Sequence, residues 1–85
     1  MAENKPTYVI VHHTADSSRG AQLRKVDEFH RVKFDMRSRL GYWVGYHYFI
    51  ERNGTLTQTR AHDEEGAHVK GKNSESIGVC LAGNF

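Results

Sequence analysis

Apolar positions in this chain follow two rhythms. Val9, Ile10 and Val11 follow Tyr8 in a short β-branched run after Pro6, and His12 and His13 close it, which predicts a first strand over residues 8–12. From residue 22 to 34, Leu23, Val26, Phe29 or His30, and the pair Lys33–Phe34 recur at spacings of three and four, the stripe of an amphipathic helix. Between them, DSSRG at 16–20 reads as a loop able to cap that helix. Residues 37–41 form a basic loop, and residues 44–51 return to a strand pattern. Arg52-Asn53-Gly54 is a hairpin signal, with residues 55–59 as the returning strand. Residues 60–74 are polar and read as a long loop. IGVCLA, at 77–82, is apolar nearly throughout, as suits a central strand covered on both faces.

Such a strand needs a layer on each side of its sheet, yet the pattern offers one convincing helix. Two expectations follow: the chain is cut from a longer domain, or a partner chain supplies the second layer.

Composition narrows the class. Eighty-five residues make one small domain. A chain of this size buries only about 60–65% of the surface its unfolded form exposes, so its core is thin. The single cysteine, Cys80, excludes an internal disulfide framework. A net charge of +2 gives no case for nucleic acid as a partner. No apolar run is long enough for a membrane span or a secretory signal, and residues 1–7 read as a polar, disordered leader. Localisation stays open between a cytoplasmic protein awaiting release and a piece of an exported one; a lone cysteine fits a reducing compartment. Six histidines are the compositional oddity.

Their placement carries the chemistry. Strand neighbours point to opposite faces, so His12 lies with Tyr8 and Ile10, and His13 with Val9 and Val11. One of the pair at most belongs to a given metal site, and the other must be satisfied by a hydrogen bond. Polar residues closing a strand are common, and a zinc site needs three or four ligands, so spacing alone leaves a structural role open. In GYHYFI, alternation puts Tyr46, Tyr48 and Ile50 on one face and His47 and Phe49 on the other. Tyr46 is either packing with its hydroxyl at the rim or a donor to a developing oxyanion. His62 and His68 bound HDEEGAH, which lacks the spacing of the helical HExxH zinc motif; Gly66 argues for a solvated acidic loop. Cys80 reads as a buried small hydrophobe before a ligand. A makeshift zinc site of His12, His68 and Cys80 is chemically acceptable.

Three segments together, VIVHHTA, GYWVGYHYFIERNGTLTQTR and GAHVKGKNSESIGVCLAGNF, resemble the type 2 N-acetylmuramoyl-L-alanine amidases, the family of phage lysozyme-like amidases and peptidoglycan recognition proteins. The resemblance covers most of the chain from Tyr8 to Phe85. It implies an α/β (α+β) fold, a central mixed sheet flanked by helices, here the N-terminal portion of one domain ending after its fourth strand. It also implies a zinc ion in a surface groove and hydrolysis of the amide between N-acetylmuramic acid and L-alanine in peptidoglycan. His12 stands where the family has its first zinc ligand, Tyr46 where lysozyme-like members have a catalytic tyrosine, and His68 and Asn73 where the groove meets substrate. Cys80 stands where some members carry glutamate. The remaining ligands are expected beyond Phe85. Two other readings stay open: a metal-free module that binds muramyl peptide, and a partner-dependent fragment that self-associates through its uncovered sheet face.

Overall fold

The pairing of the apolar runs decides the architecture. A computed structural model describes residues 3–85. In chain order it holds β1 (Tyr8–His13), α1 (Leu23–Phe34), β2 (Tyr48–Ile50), β3 (Leu56–Gln58) and β4 (Ser76–Leu81). The strands form one mixed sheet in the order β1-β4-β2-β3. β4 lies parallel to both β1 and β2, with His12 beside Cys80 and Phe49 beside the same cysteine, while β2 and β3 form the antiparallel hairpin. This bears out the mixed α/β expectation, with a single helix among the described residues.

α1 lies on one face, where Leu23 and Val26 pack against Phe49, Cys80 and Ala82. Its apolar stripe therefore has a partner, as the periodicity required. Gln22 at its start has no side-chain cap. The carboxylate of Glu51, just past β2, does that work by accepting from the N–H groups of Gln22 (2.8 Å) and Leu23 (3.0 Å). Asp35, in the left-handed conformation at φ 55°, turns the chain away from the helix.

On the opposite face only Ile77 of β4 is buried, and β1 and β3 leave apolar side chains open. Val9 is 70% exposed, Val11 63% and Leu56 59%. Register places Val79 and Leu81 of β4 beside Val11 and His13, and both are only half-buried. β4 is thus central by position, but its side away from α1 is covered only in part, where the sequence suggested cover on both.

Two further expectations change. β2 is shorter than residues 44–51, because Tyr46 and His47 sit in a bend ahead of the ladder. Alternation therefore does not govern Tyr46, which packs on the Phe49–Cys80 side rather than with Tyr48. Of the leader expected over residues 1–7, residues 1 and 2 lie outside the described residues, and residues 3–7 are tied to the body by a bridge from Glu3 to Glu64 and by backbone hydrogen bonds. Buried Asn4 donates to the carbonyls of His62 and Ser76, and its own N–H bonds to Asp63. A polar residue is buried here because its amide has partners, which composition cannot reveal.

Candidate functional site

β1 delivers His12 to the helix-bearing side of the sheet. There its Nε2 lies 2.9 Å from Nδ1 of His68, and its ring centroid 5.2 Å from that of Tyr46. His13, on the other side of the strand, accepts the N–H of Phe85 at Nδ1. The alternation argument thus sorts the pair as expected. His12, Tyr46 and His68 meet although they come from three separate stretches of chain.

Beside them runs an open groove of about 530 Å³, lined in part by Phe29, Lys33, Phe34, Tyr46, His68 and Asn73. α1 forms one wall and residues 65–70 the other. The four residues singled out from the sequence, His12, Tyr46, His68 and Asn73, therefore belong to one neighbourhood. Asn73 Oδ1 accepts the N–H groups of His68 and Val69, so this residue shapes the loop that carries His68.

The backbone makes room for the His68 ring. A Cβ on Gly78 would lie 2.8 Å from three of its atoms, and one on Gly66 would lie 2.6 Å from Cδ2. Both positions admit only glycine without displacing the imidazole or the backbone beneath it. On its far side His68 Nε2 is 3.2 Å from Ser76 Oγ, whose hydroxyl donates to the Lys72 carbonyl at 2.6 Å.

Burial sets the charge states. It pushes His68 down to about 4, with neighbouring His12, His47 and Arg60 adding to the effect. It lowers His12 as well, and it brings His30 to about 4, with Lys33 and Arg60 contributing. Burial raises Tyr46, reinforced by the nearby Cys80, and pushes the Cys80 thiol up to about 11. At neutral pH the groove therefore presents uncharged imidazoles and a protonated phenol, a donor suited to a developing oxyanion.

Several supporting residues escaped the sequence reading. Fully buried His47 accepts the Gly78 N–H at Nδ1, and its Nε2 donates to the Glu64 carbonyl. Fully buried Arg60 donates from Nε to the Val44 carbonyl and from Nη2 to that of Met36, tying residues 36–44 beneath the groove. His30 Nδ1 accepts the Gly45 N–H. His62 lies elsewhere, against the Tyr48 hydroxyl. The loop of residues 60–74 is not a loosely solvated acidic segment, since Glu64 is buried and caps the N–H groups of Arg39 and Ala61.

A zinc ion asks for three or four donors. Among the described residues, no three His, Cys, Asp or Glu side chains are grouped to hold an ion. The makeshift His12–His68–Cys80 site is therefore not formed: the two imidazoles bond to each other, and the cysteine is a buried thiol. One donor does fit, since His12 Nδ1 has no hydrogen-bond partner among the described residues.

A mixed sheet backed by a helix, with a histidine–tyrosine cluster beside an open groove, defines an α/β groove protein. The chain belongs to the N-acetylmuramoyl-L-alanine amidase family, whose model matches residues 2–85. It is 36% identical over 78 residues to the endolysin of Escherichia phage T7, covering 91% of this chain and 48% of that protein. It is 31% identical over 86 residues to peptidoglycan-recognition protein 2 of Holotrichia diomphalia, covering 92% of this chain and 42% of the relative. Among solved structures it is similar to the N-acetylmuramoyl-L-alanine amidase LysC from Clostridium intestinale, with a TM-score of 0.76 and 30% identity, over 96% of this chain and 50% of that one. The chain spans half or less of the length of each of these relatives.

Proposed function

We propose that this chain carries part of the active site of a zinc-dependent N-acetylmuramoyl-L-alanine amidase, which hydrolyses the amide joining N-acetylmuramic acid to L-alanine in peptidoglycan. The convergence of His12, Tyr46 and His68 beside the groove carries this reading, together with family membership. His12 supplies one nitrogen donor to the metal, and the other donors come from outside residues 1–85. Zinc, when bound, lowers the pKa of a water to about 7 and polarises the scissile carbonyl. Tyr46 donates its hydroxyl to the oxyanion as it develops. His68 and Asn73 border the stretch that takes the peptide, with the rings of Phe29 and Phe34 on the facing wall.

The test measures metal and product together, on a protein that joins these residues to the missing donors. One zinc per site by X-ray fluorescence, and new L-alanine amino termini from purified peptidoglycan, are expected; His12→Ala removes both. Peptidoglycan binding without zinc or new amino termini would sink the hydrolase.

That outcome is the second reading, a non-catalytic module for muramyl peptide. It is supported by the similarity to a peptidoglycan-recognition protein. The open apolar face supports self-association of the chain in either case.

A further inference from the structure

The contact between His12 and His68 sets more than a groove wall. Two imidazole nitrogens 2.9 Å apart share one proton, so one ring donates and the other accepts. The direction follows from the other end of the chain of contacts. Ser76 Oγ gives its only proton to the Lys72 carbonyl, so toward His68 Nε2, at 3.2 Å, it can only accept. His68 therefore carries its proton on Nε2. In the neutral ring that leaves a lone pair on Nδ1, and the proton between the rings belongs to His12 Nε2. His12 is thereby the tautomer with its lone pair on Nδ1.

We propose that His68 is a positioning residue: it takes the Nε2–H of His12 at Nδ1, passes its own Nε2–H to Ser76, and so fixes Nδ1 of His12 as the atom that binds metal. The metal half rests on the zinc reading above; the tautomer half stands on these contacts alone. Hydrogen bonding of the distal nitrogen is the general means of orienting a ligating histidine and raising its basicity. Carboxylates and backbone carbonyls usually serve, and here a second imidazole does.

The surroundings are built for that task. The His68 ring rests on the bare backbone of Gly78 and against Gly66, so it cannot slide toward the sheet. The T-shaped contact with His47, centroids 5.9 Å apart, fixes its edge. Asn73 pins the backbone N–H of His68 itself. A residue needed only to touch a flexible peptide would not require a slot closed on this many sides.

The test uses the metal-free 85-residue chain labelled with ¹⁵N in histidine, read by long-range ¹H–¹⁵N correlation spectra at neutral pH. The expected result is His12 protonated at Nε2 alone, and His68 protonated at Nε2 alone. His68→Leu should release His12 into the mixed tautomer population of a free imidazole. His68→Asn, whose amide oxygen can stand near the Nδ1 position, should restore the Nε2–H form. Ser76→Ala should loosen the His68 preference while leaving the ring in its slot. His12 protonated at Nδ1, or a tautomer unchanged by His68→Leu in a chain whose circular dichroism stays native, would overturn the proposal. A His68 that merely contacts substrate predicts that unchanged result. Failure of hydrolysis with the expected spectra intact would count against the amidase alone.

Discussion

At the scale of single residues, the groove works by removing charge rather than by gathering it. Tyr46 is held as a neutral phenol by burial, so under the proposed function what it offers is a directed O–H. Tyr46→Phe keeps the ring against Phe49 and Cys80 and deletes only that donor. In the zinc-loaded amidase it should lower kcat by about 10²–10³ with little change in KM, the usual cost of one lost oxyanion donor. His30 makes a different prediction. Its folded value of about 4 lies below the ordinary 6.5, so the unfolded chain binds the extra proton first. The associated stability is present above pH 6.5 and is lost as pH falls through 4, with a slope of up to about 1.4 kcal/mol per pH unit. Urea midpoints should fall between pH 7 and pH 4.5. His30→Gln should flatten that dependence in part, since His68 titrates over the same window.

At the scale of elements, α1 and the sheet depend on each other through one carboxylate. Glu51 arrives from the end of β2 to cap a helix that has no local capping side chain. Glu51→Ala should cost about 1–2 kcal/mol in urea denaturation, and Glu51→Gln less, because an amide oxygen can still accept one of the two bonds. α1 returns the tie: Asp27 Oδ1 accepts the N–H groups of Trp43 and Val44 and steadies the approach to Tyr46. Much of this level was legible in the sequence. The 3.6-residue stripe placed α1 to within a residue at its start, and Arg52-Asn53-Gly54 marked the β2–β3 turn. The bend at Tyr46 and His47 was not legible. It depends on His47 bonding Gly78 and Glu64, partners 31 and 17 residues away, which no local pattern encodes. The same holds for Asn4, an ordinary polar residue until its amide finds the His62 and Ser76 carbonyls.

At the scale of the molecule, the defining feature is a sheet with one dressed side. The sequence signalled this directly, since IGVCLA demanded two covers and the chain offered one helix. The structure puts Val9, Val11 and Leu56 on the open side. An apolar surface of this kind on so small a body favours association. Sedimentation velocity at micromolar concentration should show dimers, and Val11→Glu should return the chain to a monomer, leaving the urea midpoint unchanged at protein concentrations too low for dimers. Val11 suits the test because it is 63% exposed, so a carboxylate there meets water and not the core. The site is legible only in part at this scale. His12, Tyr46, His68 and Asn73 could be picked out from motifs, but the slot made by Gly66, Gly78 and Ser76 emerges only once β4 lies beside β1.

The place of β4 has a consequence for how the protein is made. Of the four strands described it comes last in the chain, yet it lies between the first and the second in space, and among the described residues neither has another parallel neighbour. Until Ser76–Leu81 clears the ribosome, β1 lacks the one partner it has among the described residues, and its valines wait without that strand in the nascent polypeptide. Folding must then close loops of more than sixty residues in one late step, a slow kind of topology that leaves a growing chain open to chaperones and proteases.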